Sequence, residues 1–563
     1  MDSSEDPDQK VILLNDTKKL REYLGYMDSG RFFWSSFEPK IGLTDWLKLS
    51  DDFTEPEFQA SLRFGIPIIR LAKFSPESQA IALLDANAAR KFRAMPVLVD
   101  DGKCVIAMEH PDDKGALESL GFLCKPKVVP VLAAGREIRD AIAKYYDRVE
   151  DWELLAQIGV SPESNDSLEP TEEEALRYSA EKPIVREVAN LVADAAARRA
   201  SDIHFRPGPD GTDVLFRIDG ELIPVRRLVS NLHRAIISRV KVLGRMNLAE
   251  HRKAQDGRST FTLDDGRVID LRISVLPTVF GESVVIRLLD TMESLWSIDQ
   301  IGLEPEDRQK VDDVMARSHG MFLTTGPTGC GKSTTLYAML MEMRKQRVNI
   351  LTIEDPVEFH ISDVQQMQVN RAADFTFASA LRNFLRHDPD IIMVGEIRDR
   401  ETAAIAVESA LTGHLVLSTL HTNTAATTVT RLLDLGVEAY LLRASLLAVM
   451  AQRLVRLTCT HCKEPEEVPA HILETFAIDA GEVFYKGRGC SHCDGLGIKY
   501  RKAVYELMVV SKKIQALIVT GAEADKIQQV AVSEGMRTLT QAGIDMARRG
   551  EISLQEAWRV RSE

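Results

Sequence analysis

Residues 321–345 read MFLTTGPTGCGKSTTLYAMLMEMRK and contain the motif that decides the fold. The apolar run MFLTT predicts a strand, and STTLYAMLMEMRK predicts a helix. Between them, residues 326–333 match the phosphate-binding pattern G-x-x-x-x-G-K-[ST]. Such glycines let backbone N–H groups wrap phosphates at a helix N-terminus, where the helix dipole favours anions. A chance glycine-rich turn would not explain both the strand before the loop and the helix after it, so we expect a nucleotide site.

The residues of this loop have separate expected tasks. Lys332 is expected to reach the β and γ phosphates of ATP, and Ser333 to ligate Mg²⁺. Binding alone does not show hydrolysis, so further catalytic groups are expected after other strands. The predicted nucleotide contacts within the loop are Gly326, Pro327, Thr328, Gly329, Cys330, Gly331, Lys332, Ser333 and Thr334.

Acidic and histidine side chains adjoin three other apolar runs. Glu396 ends DIIMVGE, and because ligands of α/β sheets bind beyond the carboxyl ends of the strands, it is the predicted Mg²⁺-facing acid, although an ordinary solvated acid is the alternative. Glu354 and Glu358 follow NILTI, where a carboxylate can polarise the attacking water, although turn chemistry explains this segment equally well. His414 and His421 flank LVLSTL. A histidine there can hydrogen-bond the γ-phosphate, but a satisfied structural histidine is the commoner case.

The remaining patterns predict an α/β protein. The runs GMFLTTG, NILTIED, DIIMVGE and HLVLSTLH are nearly continuous, as is typical of parallel strands covered on both faces. Upstream, DVLFRIDG and STFTLDDG end in Asp-Gly, a common hairpin signal, and they follow the amphipathic segment IVREVANLVADAAARR. Near the N-terminus, β-like runs such as PVLVDDGKCVIAME alternate with the helical EIRDAIAKYYDRV. We therefore expect a small α/β domain and an α+β domain before the nucleotide domain.

The domain boundaries follow from these patterns. The linker is assigned because residues 161–182 collect Pro, Ser, Asn and acidic residues with little apolar periodicity. The predicted divisions are an N-terminal segment, 1–60; a small α/β domain, 61–148; an acidic linker, 149–182; an α+β domain, 183–292; and the nucleotide domain, 298–563, which includes an insertion at 457–500.

Four of the seven cysteines form two C-x-x-C pairs, Cys459/Cys462 and Cys490/Cys493. Two thiolate pairs make a tetrahedral S₄ set that selects Zn²⁺ and leaves no open position, so we predict a structural zinc site. A redox dithiol is the weaker alternative, because it does not explain the second pair. A zinc ribbon that binds nucleic acid is disfavoured by the acidic composition.

The composition is that of a soluble globular protein, with 45% hydrophobic and 27% charged residues. Its 563 residues carry a net charge of −14 and no basic block, which argues against nucleic acid as a partner because phosphate would be repelled. No apolar run approaches the roughly 20 residues that cross a bilayer, and no signal core follows the acidic start MDSSEDPDQK. We therefore expect a cytoplasmic protein that meets a membrane only through partners.

In combination, the motifs resemble a known family. GPTGCGKS, TIEDPVE, LRHDPDIIMVGEIRD and TGHLVLSTLHTN are similar to the Walker A, Asp box, Walker B and His box of the secretion-ATPase superfamily. RASDIHFRP, QDGR and LRISVLPTVFGESVVIRLL resemble the N-terminal half of the same motor. With the paired C-x-x-C and EGMRTL, the type II secretion and type IV pilus assembly ATPases are the most similar. The resemblance covers residues 183–560 strongly and residues 64–146 weakly, as an adaptor-like domain.

The resemblance implies an architecture and partners. It implies a RecA-like ATPase domain, a PAS-like α+β domain before it, and a homohexamer at the inner membrane that drives a pilus or pseudopilus. The implied partners are a polytopic inner-membrane platform protein and a cytoplasmic or membrane adaptor. Some members carry paired R-L-G-x-x-L segments that bind cyclic di-GMP, but here only FGIPIIRL occurs, so no cyclic-dinucleotide site is predicted.

The resemblance also implies roles for individual residues. By motif, Glu358 corresponds to the catalytic glutamate of the Asp box and Glu396 to the Walker B residue. Two arginines of the upstream domain are implied to reach ATP as that domain swings, and two others to bridge subunits at the nucleotide. For each arginine the alternative is an exposed ion pair worth at most about 1 kcal/mol. The first two are Arg272 and Arg287, and the second two are Arg382 and Arg386.

Three other functions compete with the assembly motor. A related motor that moves DNA or protein in conjugation or uptake shares the nucleotide core, but the four cysteines and the N-terminal domain resemble the assembly branch. A pilus retraction motor typically lacks both of these features. A nucleotide-gated scaffold that does not hydrolyse ATP is distinguished only by measuring turnover.

Overall fold

The computed structural model describes residues 10–14, 16–28, 40–41, 61–63, 65–158, 176–177, 179–290, 296–479 and 481–561. These residues form two compact units, which are described separately. The first unit contains two six-stranded sheets, and the second contains a seven-stranded sheet.

The N-terminal sheet of the first unit has the strand order β2-β1-β3-β6-β5-β4. Strand β1 pairs parallel with β3, and β4 pairs antiparallel with β5. The strands are β1 (Val11–Leu14), β2 (Lys40–Ile41), β3 (Ile68–Ile69), β4 (Ala94–Asp100), β5 (Lys103–Met108) and β6 (Lys127–Leu132). The helices are α1 (Thr17–Asp28), α2 (Ser78–Ile81), α3 (Ala86–Phe92), α4 (Lys114–Leu123), α5 (Gly135–Ile142) and α6 (Arg148–Gln157).

Two boundaries in this region differ from the predicted ones. Strand β1 precedes residue 61 yet pairs with β3, so the described part of segment 1–60 belongs to the small α/β domain. Helix α6 occupies the start of the predicted linker 149–182. Its Asp151 is fully buried and binds Arg226, which does not fit a linker. An arginine from a distant strand therefore makes this acidic segment part of the folded unit.

The second sheet of the first unit has the order β10-β11-β12-β7-β8-β9. A two-residue turn of Asp219 and Gly220, both at positive φ, joins β8 to β9, which confirms the Asp-Gly hairpin predicted there. The strands are β7 (Asp202–Gly208), β8 (Gly211–Ile218), β9 (Glu221–Leu228), β10 (Gln255–Thr262), β11 (Val268–Thr278) and β12 (Gly281–Asp290). The helices are α7 (Lys182–Ala197) and α8 (Ser230–Leu243).

The seven-stranded sheet of the second unit has the order β15-β14-β16-β17-β13-β18-β21. All neighbours are parallel except the edge pair β18 and β21. The strands are β13 (Gly320–Thr325), β14 (Ile350–Glu354), β15 (Gln365–Gln368), β16 (Ile391–Val394), β17 (Leu415–Leu420), β18 (Leu446–Thr458) and β21 (Ile498–Val509). A separate ribbon pairs β19 (Lys463–Pro465) with β20 (Tyr485–Gly487).

Eleven helices accompany this sheet in the described part of the unit. They are α9 (Pro305–Met315), α10 (Lys332–Met343), α11 (Phe377–Phe384), α12 (Arg400–Leu411), α13 (Ala425–Asp434), α14 (Ala439–Ser445), α15 (Ala470–Phe476), α16 (Lys512–Leu517), α17 (Ala524–Ser533), α18 (Leu539–Arg548) and α19 (Leu554–Arg559). Of the helices that the structure describes, none combines the length and the apolar character needed to span a bilayer.

The central strands are buried on both faces, as their continuous apolar runs predict. Every residue of β13, β16 and β17 is buried. Successive side chains of a strand point to opposite faces. Accordingly, Met321 and Leu323 belong to one hydrophobic cluster and Phe322 to another. The parallel sheet therefore separates two cores and leaves its carboxyl edge for polar groups.

The four paired cysteines lie together. Their Sγ atoms are all within 4.8 Å of one another, and all four residues are buried. The sulfurs of Cys490 and Cys493 are 3.7 Å apart, close to the roughly 3.8 Å that Zn–S bonds of about 2.3 Å produce in a tetrahedron. Within the described chain the group contains thiols alone, a donor set that fits Zn²⁺ better than a hard cation.

Two glycines hold the second cysteine pair beside the first. A Cβ on Gly487 would lie 1.8 Å from the carbonyl oxygen of Gly497, and one on Gly497 would lie 2.1 Å from the carbonyl oxygen of Gly487. The backbone N–H of Cys459 donates to the Gly497 carbonyl at 2.9 Å. This backbone contact leaves no room for a side chain at either glycine. Glycine is therefore required at both positions for the two backbone segments to meet.

The cysteine geometry predicts one tightly bound zinc per chain. Cys459→Ser should lose the metal and lower the melting temperature, because a closed site contributes its binding free energy to folding. Metal analysis of protein purified without chelator measures the stoichiometry. Limited proteolysis should show faster cleavage within residues 457–500 in the variant.

Cys124→Ser is the control for this prediction, because Cys124 is a buried thiol of the N-terminal domain outside the cluster. That variant should keep its zinc. Wild-type protein without zinc would show that the four thiols hold no metal.

Candidate active site

The P-loop follows β13 and leads into α10, as predicted. Gly326, Gly329 and Gly331 all have positive φ, a conformation that residues with side chains rarely adopt. A Cβ on Gly326 would lie 2.5 Å from the carbonyl oxygen of Gln452 and 2.6 Å from the Sγ of Cys330. The loop therefore needs glycine both for its backbone angles and for its packing against β18.

Lys332 is buried at the start of α10. Its ammonium donates to the carbonyl oxygens of Gly326, at 2.8 Å, and Pro327, at 3.0 Å. Burial lowers the pKa of Lys332, an effect that the nearby Cys330 and Glu396 oppose. In the described part of the chain this ammonium is held by backbone carbonyls, and hydrogen bonds to charged phosphate oxygens are stronger than bonds to neutral carbonyls. The ammonium can therefore exchange the carbonyls for phosphate oxygens.

Glu396 and His421 converge on the same edge of the sheet. Glu396 follows β16 and His421 follows β17, and these strands run parallel to each other and to β13. The His421 Nε2 lies 3.5 Å from the Glu396 Oε2. The same carboxylate oxygen is 2.6 Å from the Nε of Arg398, a residue that the sequence reading did not single out. The Glu396 charge partly offsets the lowering of the Lys332 pKa by burial, so the two groups share one electrostatic environment.

His414 does not join this group. It precedes β17, and its Nδ1 lies 3.0 Å from the carbonyl oxygen of Ser409. His414 and His421 are separated by the full strand, roughly 20 Å at about 3.3 Å per residue. His421 therefore lies beside Glu396 and His414 at the opposite end of β17, and a role for either histidine at the phosphates stays a prediction. The sequence already indicated this separation, because the two histidines flank one predicted strand.

The segment after β14 carries Glu358, which is half-buried. The backbone N–H of Glu358 donates to the hydroxyl of Tyr337 at 3.3 Å. Glu354, at the end of β14, is buried and accepts hydrogen bonds from Tyr337 and Thr352. Glu354 and Glu358 thus have different environments, because Glu354 is enclosed by donors whereas Glu358 is half-buried.

Arg382 and Arg386 lie on the surface at the end of α11. Arg382 pairs with Glu401, and Arg386 donates to the side-chain oxygen of Asn383. Both arginines are exposed. Within the chain they therefore make local contacts, and the implied contact across subunits stays a prediction.

Arg272 and Arg287 lie on one face of the first unit. Together with Asp256 and Arg258 they line a cavity of about 420 Å³ formed by residues of β10, β11 and β12. The Nε of Arg287 donates to the Oδ1 of Asp202 at 2.9 Å, and the Arg287 side chain is 59% exposed. The structure thus brings the two predicted arginines to one basic surface, where the exposed guanidinium of Arg287 is held by a single carboxylate.

Gln452 is a site residue that the motifs did not reveal. It is buried in β18, its amide donates to the carbonyl oxygen of Cys330 at 2.8 Å, and its side-chain oxygen accepts from Thr335 at 2.9 Å. Arg453, the next residue, donates to the side-chain oxygen of Asn423, two residues after His421. In the sequence, Gln452 and Arg453 stand out as a polar pair inside the apolar run LLAVMAQRLV. Only the strand order shows that this pair lies behind the P-loop.

Comparison with known proteins agrees with this geometry. Residues 178–559 match the family model described as Type II/IV secretion system protein, and residues 64–152 match the MshEN domain. The chain is 38% identical over 535 residues to the type IV pilus assembly ATPase PilB of Myxococcus xanthus, covering 92% of this chain and 91% of that protein. It is 40% identical over 495 residues to the type II secretion system ATPase E of Vibrio cholerae, covering 86% of this chain and 98% of that protein.

A solved structure has a similar fold. The Legionella pneumophila ATPase DotB aligns with a TM-score of 0.51 and 22% identity, covering 67% of this chain and 95% of DotB. The family model spans well over half of the chain, and the relatives align over almost their whole length. The family predicted from the motifs is thereby confirmed. This chain belongs to the type II/IV secretion system protein family, as one of its ATPases.

Proposed function

We propose that this protein is a hexameric motor that hydrolyses ATP at the inner membrane to power assembly of a type IV pilus or a type II secretion pseudopilus. The observation that carries the proposal is the convergence of Lys332, Glu396 and His421 at one edge of the parallel sheet. The proposal is supported by relatives of both kinds, a pilus assembly ATPase and a type II secretion ATPase, that align over most of the chain.

The residues at the sheet edge would share the hydrolysis. Lys332 would leave the carbonyls of Gly326 and Pro327 and bind the β and γ phosphates. Ser333 and Glu396 would hold Mg²⁺, which when bound supplies neutralising charge to the phosphates. Glu358 would orient and polarise the attacking water, and His421 would hydrogen-bond the γ-phosphate.

Arginines would make hydrolysis depend on movement. Arg272 and Arg287 would reach the phosphates when the upstream domain closes on the nucleotide, and Arg287 would exchange Asp202 for phosphate oxygens. Closure needs a higher affinity of ATP for the closed state, which these charge-assisted bonds provide. Arg382 and Arg386 would contact the nucleotide of a neighbouring subunit in the ring. Loss of the γ-phosphate would weaken these bonds, reopen the cleft and produce displacement.

The proposed partners follow from the proposed task. The ring would act from the cytoplasm on a polytopic inner-membrane platform protein, with a cytoplasmic or membrane adaptor, and would meet the membrane only through them. The net charge of −14 supports a protein partner rather than nucleic acid, because an acidic surface repels phosphate backbones.

Substitutions at the two central residues should separate binding from hydrolysis. Lys332→Ala should abolish ATPase activity. Glu396→Gln should lower kcat by about 10²–10³-fold, the usual loss for one transition-state contact, and change the Kd of ATP by less than about threefold, since Glu396 acts on Mg²⁺ and water. Turnover on the purified oligomer and ATP binding by calorimetry measure these effects.

Glu408→Gln is the control for Glu396→Gln, because Glu408 is an exposed acid on α12. This variant should keep wild-type turnover. Wild-type turnover by the Glu396→Gln protein would show that the Mg²⁺ assignment is wrong. A wild-type oligomer that binds but does not hydrolyse ATP would identify a nucleotide-gated scaffold instead.

The closure proposal predicts a large kinetic effect from a substitution in the upstream domain. Arg287→Ala should lower kcat strongly, within the range of about 10³–10⁵ that an arginine contributes to phosphoryl transfer, and should change nucleotide affinity far less. The control is Arg227→Ala, which breaks an Arg–Asp surface pair of the same domain. Equal kcat in both variants, or a nucleotide-bound structure with neither Arg272 nor Arg287 at a phosphate in any subunit, would contradict closure.

The cellular task is tested by replacing the wild-type chain with the Lys332→Ala variant. Loss of surface pili with normal release of secreted enzymes would assign a pilus, and the reverse would assign a secretion system. If both processes continue unchanged, the proposed task is wrong.

A further inference from the structure

Tyr337 joins the P-loop helix to the acidic segment that follows β14. It lies on α10, five residues after Lys332, and is 2% exposed. Its hydroxyl donates to the carboxylate of Glu354 and accepts the backbone N–H of Glu358 at 3.3 Å. Its ring meets Phe359 edge to face, with the ring centroids 6.0 Å apart. One buried hydroxyl therefore contacts both ends of the segment that carries Glu358.

Glu354 is enclosed by hydrogen-bond donors. Its carboxylate is buried and accepts hydrogen bonds from the hydroxyls of Tyr337 and Thr352 and from the side-chain amide of Gln366. Burial raises the pKa of Glu354, and these donors oppose that rise. A carboxylate whose oxygens face three neutral donors inside the protein is not placed to take a proton from water. Its hydrogen bonds instead fix the positions of the side chains that donate to it.

We propose that Tyr337 and Glu354 form a positioning pair that couples Glu358 to the P-loop helix, so that the water-activating carboxylate keeps its place relative to Lys332. This proposal rests on the role assigned to Glu358 above and extends it. Tyr337 and Glu354 are both buried, and they act through Glu358. The pair lies entirely within the second unit.

The pair predicts a specific kinetic defect. Tyr337→Phe keeps the ring and its packing but removes the hydrogen bond to the Glu354 carboxylate and the one from the Glu358 N–H. Without the hydrogen bond to Tyr337, Glu358 can shift. A misplacement of about 1 Å can lower the rate about 10²-fold. We expect kcat to fall about 10–100-fold while KM and the Kd of ATP change by less than about threefold, because the loop that binds phosphate is untouched.

The chain contains a matched control for the stability effect of losing such a hydroxyl. Tyr505, on β21, also donates its hydroxyl to a carboxylate, Asp307, and accepts a backbone N–H, that of Glu304. Tyr505→Phe removes the same two hydrogen bonds away from the acidic segment. Both variants should lower the melting temperature, but only Tyr337→Phe should lower kcat. An equal loss of kcat in both would reduce Tyr337 to an ordinary structural residue and overturn the proposal.

Glu354 supplies a second, independent variant. Glu354→Gln keeps the volume and an oxygen acceptor for Tyr337, whereas Glu354→Ala removes both. The glutamine should therefore retain most of kcat, and the alanine should reproduce the Tyr337→Phe defect. An alanine variant that folds and turns over ATP at the wild-type rate would overturn the proposal even if the Tyr337 variant were unstable.

A double-mutant cycle decides whether the pair acts through Glu358. Glu358→Gln alone should lower kcat strongly, and adding Tyr337→Phe should cause little further loss. Additive losses would overturn the positioning proposal while leaving the assignment of Glu358 intact. Wild-type kcat in Glu358→Gln would overturn both the assignment and the coupling. The measurements are steady-state ATPase rates and ATP affinity on the full-length oligomer.

Discussion

The backbone of the P-loop approaches strand β18 so closely that no side chain fits between them, and the rest of the nucleotide site depends on this approach. A Cβ on Gly326 or Gly331 would come within about 3 Å of the atoms of Gln452. Gln452 in turn binds the carbonyl of Cys330 and the hydroxyl of Thr335. Because the loop is braced from behind, its backbone N–H groups stay at the start of α10, where an anion can bind them.

The parallel sheet determines which groups surround that loop. Strands β13, β16 and β17 run in one direction, so the residues that follow them meet at one edge. Glu396 and His421 follow their strands and converge, whereas His414 precedes β17 and lies at the other edge. The buried apolar strands thus do more than form two cores. Their direction also decides which polar residues lie at the edge of the sheet that carries the P-loop.

Buried polar contacts give residues of similar chemistry different environments. Glu354 and Glu358 lie four residues apart, yet the first is enclosed by donors and the second is half-buried. The same principle distinguishes the arginines. Arg287 is held by one carboxylate on an exposed surface and can exchange it, whereas Arg226 is buried with Asp151 inside the first unit. An exposed arginine can change its partner, whereas a buried pair stays together because separating it would leave a buried charge unpaired.

The sequence by itself determined what depends on neighbouring residues. A strand, a glycine loop and a helix in succession specify the P-loop, and two C-x-x-C pairs specify a thiolate set, because each pattern carries its geometry in its own spacing. Only the tertiary structure decided what depends on distant residues. It placed Gln452 behind the P-loop, enclosed Glu354 and brought Asp151 to Arg226, because burial and hydrogen bonding across strands are set by which elements pack together and in which direction they run.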